Sequence, residues 1–149
     1  MQPPAKGDPA EPRILCLFVV RDRERSVAAW LDRLPAEIFS SNAHVLVIDD
    51  ASSDRTVERA KAWVDERGVR NVTVLANPVP QGVGGSQKLG YRVALEAGFT
   101  GVVYVPDGGR DDPSQIGRIL SCLVEERADV VLGVPPEASG GWGERLGRY

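Results

Sequence analysis

The sequence predicts an α/β fold, in which a mostly parallel sheet is covered by helices on both faces. Short, continuous apolar runs, typical of strands buried on both sides, alternate with segments whose apolar residues recur at helical spacing. The connections between them are short, and right-handed crossovers between parallel strands permit little other than this architecture. A chain of 149 residues is also long enough to bury a core of its own.

The predicted strands are rich in β-branched residues and lie at 14–20, 44–48, 72–76, 102–105 and 130–132. In sheets of this kind the ligand crevice lies at the carboxyl ends of the strands. Functional residues are therefore expected in the loops that follow the first four strands.

The predicted helices are defined by apolar spacing and by end signals. The first has Ser26 as its N-cap and the second is capped by Ser53 or Asp54, while Gly68 and Gly98 end the second and third. The inward-facing residues expected along the four helices are Val27, Trp30, Leu31 and Leu34; Val57, Ala60 and Val64; Leu89, Val93 and Ala97; and Ile116, Ile119, Leu120 and Leu123.

Composition excludes several classes of protein. Lys and Arg number 18 against 21 Asp and Glu, so the net charge is −3 and nucleic acid is not an expected partner. Two cysteines, both expected to be reduced and buried, and one histidine exclude a disulfide framework and a multi-histidine metal site. No apolar run approaches the ~20 residues that span a bilayer. These features predict a soluble, cytoplasmic domain.

The domain boundaries follow from composition. Residues 1–12 are polar and rich in proline, which predicts a flexible lead-in without a signal peptide. Residues 13–134 form the predicted folded domain. The glycine-rich tail at 135–149 has no clear period and is interpreted as the start of a further part.

Acidic residues follow the second predicted strand. Asp49 and Asp50 stand where a carboxylate could accept hydrogen bonds from a nucleobase or ribose. Two adjacent carboxylates repel each other and a turn does not need both, so we favour a binding role for this pair. For Asp54 a helix cap is the favoured interpretation. Asp22 and Glu24, after the first strand, are weaker candidates for contact with the same ligand.

A glycine-rich segment precedes the third predicted helix. Gly82, Gly84 and Gly85 allow close approach of the backbone to a ligand, and a helix amino terminus favours anions. Lys88 is expected in the first helical turn, where a cation opposes the helix dipole unless a phosphate accompanies it. The segment matches neither a dinucleotide fingerprint nor a P-loop.

Asp107 follows the fourth predicted strand, within the segment VPDGGRDDP. Carboxylates at this edge suggest a divalent cation that bridges to a nucleotide diphosphate. Asp107 is the favoured metal ligand, whereas for Asp111 and Asp112 a turn and helix cap is equally compatible with the sequence.

Four segments in this order, VLVIDDASSDRT, NPVPQGVGGSQKLGYRVALEAGF, VVYVPDGGRDDP and ADVVLG, resemble the inverting family-2 glycosyltransferases of the GT-A fold, nearest the polyprenyl-phosphate sugar synthases. The resemblance implies a UDP or GDP sugar as donor and a polyprenyl phosphate or glycan as acceptor. It places the nucleoside on Asp49 and Asp50, the diphosphate near the glycine-rich segment and Lys88, and Mg²⁺ or Mn²⁺ on an Asp-x-Asp motif.

The sequence departs from this family at three sites. The loop after the first strand usually reads Pro-x-Tyr-Asn-Glu in the family, and here residues 19–24 read VVRDRE. An ungapped match puts Pro106 and Gly108 on the Asp-x-Asp positions, and a shift of one residue is needed to place Asp107 on the second aspartate. No residue matches the family's catalytic base, so no catalytic residue is assigned.

A non-catalytic nucleotide-binding or docking module, either a truncated pseudoenzyme or half of a split enzyme with a partner chain, is the alternative prediction. A peripheral membrane contact is compatible with either function. A nucleotidyltransferase is disfavoured because the loop after the first strand lacks glycines.

Overall fold

The computed structural model describes residues 12–40, 42–106 and 116–124. Four strands form its sheet: β1 (Ile14–Val20), β2 (Ala43–Asp49), β3 (Val72–Ala76) and β4 (Gly101–Val105). Five helices connect or follow them: α1 (Val27–Leu31), α2 (Glu37–Ser40), α3 (Thr56–Arg67), α4 (Gly82–Ala97) and α5 (Ile116–Val124). The predicted strand at 130–132 lies outside the described residues.

The strands pair in the order β3-β2-β1-β4, and every pair is parallel. The register aligns the last residue of β1, Val20, with Asp49 of β2, and Asp49 in turn with Ala76 of β3. The first three strands therefore end together at one edge of the sheet, which brings the loops that follow them into the same region.

Helices cover both faces of the sheet, as the sequence predicts. One face of β1, represented by Cys16 and Phe18, packs in a core with residues of α1, α2, α3 and α5. Leu15 and Leu17 point to the other face and pack with α4. Because successive strand residues alternate in direction, a run buried on both sides produces these two separate cores.

The first two helical segments differ from the prediction. α1 ends at Leu31, and the separate short helix α2 begins after Pro35. Proline interrupts the helix because its backbone nitrogen carries no hydrogen to donate. The inward face of α3 consists of Thr56, Ala60 and Trp63. Trp63 is buried and its Nε1 donates to Asp32 Oδ1 at 2.8 Å, whereas Val57 and Val64, which were predicted to face inward, are half-buried.

The predicted helix ends are confirmed, whereas the starts of α1 and α3 differ from the prediction. Gly68 and Gly98 follow α3 and α4 in the left-handed conformation, with φ of +61° and +72°. Ser26 makes no capping bond to α1, and the residue that precedes α3 is Arg55.

The cysteines differ in environment. Cys16 is buried in the sheet, and burial raises the pKa of its thiol to about 12, as expected for an unreactive core cysteine. Cys122 is partly exposed, contrary to the expectation that both are buried. In the part of the chain that the structure describes, no helix has the length and apolar character to cross a membrane.

α4 lies close to the sheet because its inward residues are small. Its buried positions are Ser86, Gly90, Ala94 and Ala97. A β-carbon added at Gly90 would overlap both methyl groups of Leu17, which is itself completely buried. Glycine at this position therefore sets the distance between α4 and β1.

The substitution Gly90→Ala should destabilise the fold by about 1–3 kcal/mol, since the buried Leu17 has no space into which to move. Urea unfolding measures this change. The matched control is Gly84→Ala on the same helix, where an added β-carbon meets nothing within 4 Å. That variant should be as stable as the wild type or up to about 1 kcal/mol more stable. Equal effects of the two substitutions would contradict the packing argument.

Candidate functional site

The candidate site is the edge of the sheet at which β1, β2 and β3 end. Three described loops meet there, at 21–26, 50–55 and 77–81. The fourth predicted loop carries Asp107, Asp111 and Asp112, and these residues lie outside the described part of the chain. The geometry of the site is therefore that of the first three loops and the amino end of α4.

Asp49 closes the turn that leaves β2. It is 2% exposed, and its Oδ2 accepts a hydrogen bond from the Ser52 amide at 2.8 Å, while its Oδ1 accepts one from the Ser52 hydroxyl. The same hydroxyl oxygen accepts a bond from the Asp22 amide at 2.8 Å. Asp49 thus links the loop after β2 to the loop after β1.

Asp50 holds the amino end of α4. Its carboxylate is 3% exposed. Its Oδ1 accepts from the Gln81 amide at 2.8 Å, and its Oδ2 accepts from the Gly82 amide at 2.9 Å. The side chains of Asn77 and Ser86 also donate to Oδ1, at 3.0 and 2.9 Å. Asp50 is therefore the anion that the first amides of the helix bind.

These hydrogen bonds determine the ionisation of Asp50. Burial alone would raise the pKa of its carboxyl group, but the donors from Gln81, Asn77, Ser86 and Gly82 outweigh burial and hold the pKa below its ordinary value of 3.8. Asp50 is therefore charged at neutral pH, and the guanidinium of Arg21 lies 4.0 Å from its Oδ2.

The loops after β1 and β2 are joined by reciprocal hydrogen bonds. Asp22 Oδ1 accepts from the Ser53 amide at 2.8 Å, and Asp54 Oδ2 accepts from the Glu24 amide at 3.0 Å. Asp22 and Ala51 both adopt positive φ, of 51° and 55°. Left-handed backbone at non-glycine residues persists where the surrounding contacts require it, and here these contacts fix the relative positions of two loops.

Asp54 also organises the start of α3. Its Oδ1 accepts from the Thr56 amide at 3.0 Å and from the Thr56 hydroxyl. The hydrogen bond from the Thr56 side chain is the main reason that the pKa of Asp54 lies below its ordinary value. The carboxylate of Glu24 accepts from the Arg55 amide at 3.4 Å. Asp22, Glu24 and Asp54 thus share one loop-joining network.

The glycine-rich segment is the first turn of α4 and does not precede the helix, contrary to expectation. The helix begins at Gly82, whose φ of +69° favours glycine. Lys88 consequently lies in the second turn, and the predicted position in the first turn is wrong. Lys88 and Gly84 are exposed and Gly85 is half-buried. By helix geometry, the amides of Val83 and Gly84 have no acceptor within the helix and remain available to an anion.

Asn77 and Ser86 were missed by the sequence interpretation. Both are buried, and the Asn77 side chain donates to Asp50 and to the Ser86 hydroxyl, the latter at 2.8 Å. A polar serine at an inward position of α4, in register with Gly90 and Ala94, was the available signal. It indicates a buried hydrogen-bond partner but does not identify that partner.

The described acidic residues do not fit a metal site. No group of three or more His, Cys, Asp or Glu side chains converges within residues 12–40, 42–106 and 116–124. Protein donors already bind oxygens of Asp49 and Asp50. Placing a cation there would require these donors to be displaced.

The fold is an α/β domain with the candidate site at one edge of its parallel sheet, and comparison with known proteins identifies the family. The model of glycosyl transferase family 2 matches residues 19–149, so the chain belongs to that family. The chain is 32% identical over 123 residues to the undecaprenyl-phosphate mannosyltransferase of Micrococcus luteus, a match that covers 81% of this chain and 47% of that protein. The chain thus spans about half the length of this relative.

Solved structures show the same GT-A fold. Glucosyl-3-phosphoglycerate synthase from Mycobacterium tuberculosis, solved with Mn²⁺, UDP and phosphoglyceric acid, matches with a TM-score of 0.53 and 21% identity, over 77% of this chain and 40% of that one. TarS from S. aureus matches with a TM-score of 0.52 and 14% identity, over 76% of this chain and 32% of the other. These likenesses confirm the predicted fold class.

The substitution Asp50→Asn should destabilise the protein by about 1.5–3 kcal/mol at neutral pH, because hydrogen bonds to a charged acceptor are lost and an amide NH₂ group meets several donors. Urea unfolding provides the measurement. Asp65→Asn is the matched control, since Asp65 is an exposed aspartate of α3, and it should change stability by less than about 0.5 kcal/mol.

The stability difference between wild type and Asp50→Asn should depend on pH. A carboxyl group with a lowered folded-state pKa contributes stability above its unfolded value, and this contribution is lost as the pH falls through the folded pKa. The difference should therefore be fully present at neutral pH and should shrink as the pH drops below 3.8. A difference that stays constant down to the acid-unfolding range would show that the Asp50 charge is not responsible.

Proposed function

We propose that this chain forms the donor-binding part of an inverting glycosyltransferase that transfers a sugar from a UDP or GDP sugar to a polyprenyl phosphate or a glycan. The observation that carries the proposal is the set of hydrogen bonds that joins the loops at this edge of the sheet. The loops after β1, β2 and β3 are fixed together, and they hold the first turn of α4 at the edge where the strands end, with the exposed Lys88 in the next turn. A nucleotide diphosphate suits amides and a cation in this arrangement.

The comparisons support the donor and acceptor classes. The Micrococcus luteus relative is named for mannosyl transfer to undecaprenyl phosphate. The Mycobacterium tuberculosis synthase, which shares the fold, was solved with UDP and Mn²⁺. We extend these ligand classes to this chain as part of the proposal, including Mg²⁺ or Mn²⁺ held by Asp107.

In this proposal Asp49 contacts the nucleoside and Asp50 chiefly positions the loop. A carboxylate offers about four acceptor positions. Asp49 uses two of them for Ser52 and keeps capacity for a nucleoside N–H or hydroxyl. Asp50 receives four donors, three of them on Oδ1. Its contribution to donor binding is thus to hold α4 in place, with Oδ2 as the oxygen left for a direct contact.

The diphosphate is placed at the amino end of α4. The amide of Gly84 and the ammonium group of Lys88 would offset its charge. Gly85 makes room for the Gln81 side chain, whose Cβ lies 2.7 Å from the position of an added β-carbon. The Gly82 amide is already bound to Asp50, so its role is to fix the turn. Asp22 and Glu24 hold the neighbouring loop, at the side where the sugar would lie.

A lipid phosphate is the acceptor that the chemistry favours. Inverting displacement on a glycan hydroxyl requires a base to take its proton. A phosphate monoester already carries about −1.5 to −2 charge at neutral pH, so its oxygen can attack the anomeric carbon without prior proton removal. The bond from that carbon to the nucleotide diphosphate breaks as the new one forms.

The purified chain should bind UDP or GDP in calorimetric titrations, and Lys88→Ala should weaken this binding by about tenfold or more through the loss of a charge-assisted contact. Lys61→Ala is the matched control, because Lys61 is an exposed lysine on α3 at the other face of the sheet. It should leave the affinity unchanged. Binding that is unaffected by Lys88→Ala would remove the lysine from the site.

The same titrations with Mn²⁺ test Asp107. Mn²⁺ should strengthen nucleotide binding in the wild type, and Asp107→Ala should abolish that increase while leaving the metal-free affinity unchanged. An increase that survives in the variant would exclude Asp107 as the ligand. No binding of either nucleotide at millimolar concentration would contradict the proposed function and favour the non-catalytic docking module.

A further inference from the structure

The outward face of α4 carries large apolar side chains, whereas its buried positions carry small ones. Val83, Tyr91 and Leu95 are 57%, 42% and 80% exposed. Together with Gln87 they form one row of residues at i+4 spacing along the helix surface. A helix on a sheet ordinarily turns its large apolar residues toward the core. This apolar row is therefore a surface that the described fold does not use.

A second row beside it carries positive charge. Gly84, Lys88, Arg92 and Glu96 are all exposed at the adjoining i+4 positions, which gives two cations and one anion in a chain whose net charge is −3. Among the described residues, neither Lys88 nor Arg92 forms a salt bridge. The outer face of α4 thus combines an apolar row with a row that holds two cations and one anion, a local charge of +1.

This outer face begins at the candidate donor site. The amino end of α4 lies at the edge of the sheet where Asp50 binds Gln81 and Gly82. Val79, in the loop before the helix, is also exposed, at 56%. From Val83 to Leu95 the row extends about 18 Å at 1.5 Å per residue, with Gln87 between its first two apolar members.

We propose that the outer face of α4 docks on an anionic lipid bilayer. Apolar side chains on an exposed helix face enter the boundary between headgroups and acyl chains, while Lys and Arg beside them attract anionic headgroups. The inference rests on the proposed function in one respect: a polyprenyl phosphate presents its phosphate at the bilayer surface. Docking through α4 would bring the donor edge to that phosphate.

Sedimentation with lipid vesicles tests this surface. The full chain should sediment with vesicles of equal parts phosphatidylcholine and phosphatidylglycerol, and it should remain in the supernatant with phosphatidylcholine alone. Added salt should release it, because attraction between exposed charges is screened. A chain that stays in the supernatant with the anionic vesicles at low salt would overturn the proposal.

Two variants localise the contact. Arg92→Ala should lower the partition coefficient about fivefold, whereas Arg59→Ala, on the exposed side of α3, removes the same charge and should leave it unchanged. Leu95→Ser should lower it about tenfold through lost apolar contact, and because Leu95 is 80% exposed the variant should fold normally by circular dichroism. Equal partitioning of Arg92→Ala and Arg59→Ala would overturn the assignment to α4.

The outcome is separable from that of the proposed function. Leu95 is remote from the amino end of α4, so Leu95→Ser should bind UDP or GDP as the wild type does. Nucleotide binding without vesicle binding would refute the docking surface alone, and vesicle binding without nucleotide binding would refute the donor site alone. Light scattering that shows a dimer dissociated by Leu95→Ser, with no vesicle binding, would assign the row to self-association and overturn the proposal.

Discussion

The arrangement of the candidate site depends on the contact between the Asp50 carboxylate and the amino end of α4. A charge at 3% exposure is unfavourable unless donors replace its hydration, and Asp50 receives them from two backbone amides and two side chains. The contact neutralises the positive end of the helix dipole at the same time. It therefore fixes where the helix begins, which glycines lie in its first turn, and where Lys88 projects.

The loop network extends this constraint across the sheet edge. Asp49 and Asp54 join the turn after β2 to the loop after β1, and Asp50 joins the same turn to the loop after β3. Three consecutive loops are thereby held by carboxylates of one short segment. Much of the acidic character of this segment therefore serves to organise the backbone. A ligand would meet a site whose shape is already set before it binds, which reduces the ordering cost of binding.

The close fit of α4 to the sheet accounts for its unusual surface. Small buried residues, of which Gly90 is the most constrained, let the helix approach β1. Of its larger apolar side chains, Leu89 and Val93 pack at the border of the core, as predicted. Tyr91 and Leu95 lie outside, where they adjoin Arg92. The same helix thus presents its first turn to the proposed donor and its outer face to the proposed membrane, which connects donor binding and access to a lipid acceptor in one element.

The strands were predictable because residues buried on both faces of a parallel sheet are apolar without interruption, as in β1. The glycines that end α3 and α4 were predictable because few other residues adopt positive φ. The start of α4 was not predictable from the sequence. A run that contains Gly82, Gly84 and Gly85 has low helix propensity, and the carboxylate that stabilises the amino end of the helix is distant in sequence. That pairing, and with it the roles of Asn77 and Ser86, depends on the tertiary structure.

The most direct test of this account is amide hydrogen exchange by NMR at Gln81 and Gly82. If Asp50 binds these two amides, they should be protected in the wild type. Asp50→Asn should accelerate their exchange by at least tenfold, while amides within β2, such as that of Val47, should retain protection. Rapid exchange at Gln81 and Gly82 in the wild type, or equal rates in the variant, would show that Asp50 does not hold the amino end of α4.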